Sequence, residues 1–136
     1  MKKATGLMLI SVSTTMIMTA GVRAAPISPM PSIPSDSVTV TDWYKQDVYD
    51  PNNSKLGEVK DVLIDKSGRA RAVIVGVGGL LGADEKDVAV PFEAIQIKSN
   101  GSDKWRLVMD STVDALKVGP TYTYDRQSTT WVPTAR

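Results

Sequence analysis

Between Leu56 and Val77 two β-favouring runs are separated by one short glycine turn, and no other segment restricts the fold as much. Leu56 to Asp65 reads as a strand interrupted near its start by Gly57. Lys66-Ser67-Gly68 is the loop, with Gly68 supplying the positive φ that a tight hairpin needs. Arg69 to Val77 returns as a second strand through Ala70, Ala72, Val73, Ile74, Val75 and Val77. The near-continuous apolar end of this run predicts burial on both faces. With the next short strand, Val88-Ala89-Val90 before Pro91, the expected core is Val59, Leu63, Ile74, Val88 and Val90.

The same punctuation continues on both sides. Ordered structure is expected to begin near Val38, where Thr39, Val40 and Thr41 favour β. Asp50-Pro51-Asn52-Asn53-Ser54 is dense in turn formers. Phe92 to Ile95 suits one helical turn, Ile95 and Ile97 resume alternation, and Ser99-Asn100-Gly101-Ser102 is a hairpin turn before a strand at Trp105 to Met109. Ser111 and Asp114 have capping-box spacing for a short helix ending at Gly119-Pro120. Many short strands with glycine turns in under 100 residues point to an all-β barrel or sandwich with one short C-terminal helix.

Upstream, the chain changes character. Lys2 and Lys3 precede an uncharged, apolar-rich run from Leu7 to Ala20, and Val22-Arg23-Ala24 fits a signal-peptidase site. Residues 1–24 are therefore expected to be a secretory signal, since the run is too short and too rich in Ser and Thr for a spanning helix. Residues 25–37 hold Pro26, Pro29, Pro31 and Pro34 among serines and read as an unpacked, disordered linker. The domain is then placed at 38–125, with 126–136 as a C-terminal tail. The implied location is the periplasm, with no stable membrane insertion once the signal is removed.

Composition excludes several kinds of function. The chain has neither cysteine nor histidine. That removes disulfides, thiolate catalysis, cysteine–histidine metal sites and the Ser-His-Asp triad. Loss of Lys2, Lys3 and Arg23 with the signal leaves 13 basic and 15 acidic residues, net −2, which is not the footprint of a nucleic-acid binder.

The remaining motifs have structural readings beside their chemical ones. The glycine stretch 76–82 fails the dinucleotide fingerprint, because the third glycine position falls on Leu81. Asp50 to Asp61 has partial calcium-loop spacing, but Lys55 stands where a glycine is needed, and a turn is the better reading. Asp61 and Asp65 are four apart on a strand and so share a face. They are a conceivable acid–base pair, though solvated or turn-forming carboxylates are more ordinary. Trp43, Tyr44, Trp105, Tyr122 and Tyr124 suit core and barrel-end packing better than a ligand site. Leu80 and Leu81, after Gly79, are either core plugs or an exposed contact. Gly79, Leu80 and Leu81 are thus the partner-binding candidates, and no catalytic, metal or cofactor-binding residue is assigned.

The ordered set Leu56-Gly57-Glu58-Val59-Lys60-Asp61-Val62, Asp65 with Gly68-Arg69, Gly78-Gly79-Leu80-Leu81-Gly82 and Val88-Ala89-Val90-Pro91 resembles the PRC-barrel family over about Val38 to Tyr124. The resemblance is nearest to its exported bacterial versions. It implies a small six-stranded β-barrel used as a non-enzymatic interaction module, presented to a protein partner or to itself, with no cofactor. The alternatives are a carboxylate-based periplasmic enzyme and a cell-envelope structural protein.

Overall fold

The hairpin forms as the turn chemistry predicts. Asp65 accepts from the backbone N–H of Ser67 and of Arg69 and from the Ser67 hydroxyl, and Gly68 adopts φ +83°. This ties β2 (Lys55–Ile64) to β3 (Ala70–Val77) in antiparallel register. The computed structural model describes Gly6 and residues 24–79, 84–99, 101 and 104–135. The chain divides into two units, Met1–Pro34 and Ser35–Arg136. In the first, residues 24–34 are exposed and none lies in a helix or strand. The second unit carries every helix and strand among the described residues.

Its remaining elements are α1 (Val40–Trp43), β1 (Asp47–Tyr49), β4 (Lys86–Pro91), a 3-10 turn at Phe92–Ala94, β5 (Ile95–Ser99), β6 (Trp105–Met109), α2 (Val113–Val118), β7 (Tyr122–Asp125) and β8 (Thr130–Pro133). Six strands make one sheet in the order β4-β3-β2-β1-β6-β5, and β7-β8 form a separate hairpin. All neighbours are antiparallel except β1 and β6, which run parallel through Val48↔Leu107 and Tyr49↔Val108. The two edge strands, β4 and β5, are not hydrogen-bonded to each other, so the sheet is not closed. Pro91 ends β4 and has no N–H to offer a further ladder.

The protein is mostly β, as the sequence predicts, and among the described residues two further strands accompany the six-stranded sheet and there are two short helices rather than one. The unexpected helix is α1. Thr39 caps it, its hydroxyl oxygen accepting from the Asp42 N–H, and this local bond outweighs the β preference of Thr39-Val40-Thr41. At α2 the capping residue is Thr112, which accepts from the Ala115 N–H, and not Ser111. Residues 126–136, expected to trail, contain β8. Its turn from β7 is built by Asp125, which accepts from Gln127 and Ser128.

One sheet face carries the main core: Val48, Val59, Val73, Val75, Val77, Val88, Val90, Leu107 and Met109, with Trp43 and Leu56. Ile74 is also fully buried but lies outside that cluster, on the opposite face. β3 is thus buried on both sides, as its apolar run predicts. Leu63 is the exception among the expected core residues: it is only half-buried. The register of β2 against β3 slips between Val59 and Asp61. The bulge reverses the alternation, so Val62 packs against the core and Asp61 and Leu63 turn to the other face.

Candidate functional site

Gly57, Gly76, Gly78 and Gly79 line a polar groove. β2 and β3 approach so closely at Gly57 that an added Cβ would fall on the Gly76 carbonyl oxygen. Gly78 and Gly79 follow with φ +71° and +88°, which only glycine adopts without strain. Gly79 is exposed; Leu80 and Leu81 lie outside the described residues. The groove is lined by these glycines with Lys55, Glu58, Glu85 and Val113. Its cations have carboxylate partners: Lys55 holds Asp47 at 2.7 Å, and Lys60 beside it holds Glu85 at 2.7 Å and Glu58 at 3.6 Å. The Glu85 hydrogen bond is the main reason the Lys60 pKa is raised. Burial, and then Glu85, push the Asp87 carboxyl up. These pairs neutralise one another, while the Lys117 ammonium lies against Gly78 at the edge of the groove.

The carboxylates singled out in the sequence are committed elsewhere. Asp61 accepts from the Trp131 indole N–H at 2.8 Å and from the Val62 N–H at 2.8 Å. Asp65 holds the hairpin turn, and the Ser67 hydroxyl is the main cause of its lowered pKa. Asp50 accepts from the Ser54 N–H and closes the turn between β1 and β2. Among the described residues, no three acidic side chains group as metal ligands would. Of the aromatic residues, Trp43 is buried and stacks on Phe92 with ring centroids 5.0 Å apart. Trp105 packs against the core, while Tyr44 and Tyr124 are exposed.

A second surface is different in kind. Val38, Val40 and Trp43 from the α1 region meet Val62 and Ile64 of β2, Ala70 of β3, Phe92 of the 3-10 turn and Ile97 of β5. They enclose an open cavity of about 130 Å³ with no charged side chain in its lining. The helical turn at α1 directs Trp43 inward and leaves Val40 outside. The bulge in β2 directs Val62 inward. Ile97 stands opposite Leu107 on the core face, but on the outermost strand. In consequence Val40 and Ile64 are each 59% exposed and Ile97 45% exposed. Beside the cavity, and sharing Val38 and Ile97 with it, a shallow cleft of about 390 Å³ runs between Ser35–Thr39 and Ser99, Lys104 and Trp105.

A lining of aliphatic and aromatic side chains suits the burial of apolar surface. Reasoning from the sequence placed the contact at Gly79 to Leu81 and missed this cavity. The available signal was a set of apolar residues at element ends: Val40, Ile64 and Ile97.

No curated protein matches the sequence. The family model for the PRC-barrel domain matches residues 35–116, from the segment before α1 through most of α2. The match spans the whole six-stranded sheet and every residue lining the apolar cavity, and the chain therefore belongs to the PRC-barrel domain family.

Proposed function

We propose that this chain is an exported, non-enzymatic binding module, and that the open apolar cavity at α1, the end of β2 and β5 is where it holds its partner. The observation that carries this reading is the three exposed aliphatic side chains, Val40, Ile64 and Ile97, gathered around one uncharged recess. Single exposed aliphatics are ordinary; a contiguous set beside a recess marks an interaction site. Membership of the PRC-barrel family supports a binding role at the level of the domain. We read the six-stranded sheet with its capping helices as this family's barrel. Gly79, Leu80 and Leu81 remain a secondary contact in this reading.

Export rests on residues 1–24, whose charge and apolar order fit a cleaved signal. The intact mass of the exported protein should begin at Ala25 or Pro26, and a membrane-held form retaining Met1 would defeat that part.

The binding role is tested with Ile64→Asp and Val40→Asp. Both positions are more than half exposed, so folding should hold within about 0.5 kcal/mol. Immobilised parent chain should retain a specific protein from an envelope extract, and both variants should lose it. Equal retention by parent and variants would place the contact elsewhere.

A further inference from the structure

We infer that the cleft between the end of α2, the start of β4 and the end of β8 is a binding site for a divalent oxyanion of the phosphate class, held by Lys86 and Lys117. The site shares no residue with the apolar cavity and goes beyond the binding-module reading.

The fold brings the two cations to one place. α2 packs against both β3 and β4. Lys86 opens β4 and stands opposite Val77, the last residue of β3. Gly78 follows, and the Lys117 side chain of α2 lies against it, so that a Cβ at this position would meet the Lys117 Cε and Nζ atoms. Gly78 therefore gives Lys117 its seat: φ is +71° there, and the space a side chain would take is filled by the lysine. Lys86 is exposed, whereas Lys117 is half-buried. A cation already held in position loses less freedom when a ligand arrives.

The cleft has a volume of about 380 Å³, and both lysines line it with no acidic side chain among them. Among the described residues, no carboxylate forms an ion pair with either ammonium, in contrast to Lys55 and Lys60. Glu85, next to Lys86 in sequence, is held by Lys60 at 2.7 Å. Asp87 alternates to the other face of β4. Thr121 and Thr134 add two hydroxyl groups to the wall, and their backbones are joined by a bond from the Thr134 N–H to the Thr121 carbonyl at 2.8 Å. Val118, Pro120 and Pro133 complete the lining with apolar surface. Two ammonium groups in one cleft repel each other, and a dianion relieves the repulsion. A phosphate-class group carries about −1.5 to −2 charge at neutral pH and accepts from ammonium and hydroxyl donors alike. A monovalent carboxylate neutralises only one of the two lysines.

Titration of the chain with inorganic phosphate, followed through the amide resonances of Gly78, Thr121 and Thr134, tests the site. These amides should shift saturably, and that of Gly68, at the opposite end of β3, should not. Acetate at equal ionic strength should bind about 3- to 10-fold more weakly. Lys86→Gln and Lys117→Gln should each weaken phosphate binding by about 3- to 10-fold, and Lys66→Gln should leave it unchanged. Lys86 is exposed, so its replacement spares the fold and carries the test alone if Lys117→Gln disturbs the packing at Gly78. Absence of a saturable shift, equal binding of acetate, or a loss at Lys66→Gln as large as at Lys86→Gln would overturn the inference. Ile64→Asp should leave phosphate binding intact, so failure of this site and failure of the apolar cavity are read separately.

Discussion

The indole Nε1–H of Trp131 donates to the carboxylate of Asp61 at 2.8 Å, across seventy positions of sequence. Asp61 is the cross-strand partner of Ile74, so this bond fastens the β7–β8 hairpin over the sheet face on which Ile74 is buried. Tyr124 meets Trp131 edge-on at 5.7 Å and stiffens the clasp.

Removing the acceptor should loosen that hairpin. A hydrogen bond to a charged group contributes about 1.5–3 kcal/mol, less where it is partly solvated. Asp61→Ala is expected to cost about 1–2 kcal/mol. Amide exchange at Thr130, Trp131 and Val132 should accelerate more than at Val73–Val77. Uniform acceleration at both would show that the hairpin is not held by this bond.

The bulge in β2 makes a paired prediction. Ile74→Ala should cost roughly 2–5 kcal/mol, as expected for a fully buried aliphatic. Leu63→Ala should cost under about 1.5 kcal/mol, because the slipped register leaves Leu63 half-buried. Denaturant midpoints of the two variants decide it, and equal losses would contradict the register.

Gly57 and Gly68 are both required to be glycine, for different reasons. At Gly57 a methyl group would collide with backbone at the Gly76 carbonyl and with the Val75 side chain, neither of which can move freely. Gly57→Ala should cost about 3 kcal/mol or more. At Gly68 nothing lies near, and the positive φ alone opposes alanine. Gly68→Ala should cost about 1–2 kcal/mol. Thermal unfolding of the two variants checks the order.

Two carboxylates should give opposite pH signatures. The Asp65 pKa is lowered by the Ser67 hydroxyl and then by the Arg69 N–H. Its contribution is present above its unfolded-state pKa and is lost as pH falls through the folded-state value. The deficit of Asp65→Asn against the parent should therefore shrink on acidification. The Asp87 pKa is raised by burial and then by Glu85, so its ionisation opposes folding at neutral pH. Asp87→Asn should be the more stable form there, and its advantage should fade as pH falls. Melting curves from neutral to acid pH should diverge in these two directions.

The features legible in the sequence were local ones. The β2–β3 hairpin, the Gly68 turn, the Pro91 stop and the two-sided burial of β3 each follow from residues within a few positions of one another. The bulge at Val59–Asp61 has no marker residue, and strict alternation put Leu63 in the core where Val62 belongs. α1 was hidden because one capping hydroxyl outweighed three β-favouring residues. β8 was hidden because its partner contact, Trp131 to Asp61, is long-range. The apolar cavity was least legible, since α1, β2, β3, the 3-10 turn and β5 each contribute only one to three of its side chains.

The parallel seam between β1 and β6 is two residue pairs long, yet it alone joins the β2-β3-β4 meander to the β5-β6 hairpin within the sheet. Each side can assemble from neighbours in sequence, whereas bringing Val48 to Leu107 requires closing a long loop before any contact rewards it. The seam is thus a kinetic joint. Truncating Val48 or Leu107 should speed unfolding and leave the folding rate nearly unchanged, as for contacts formed after the barrier is crossed.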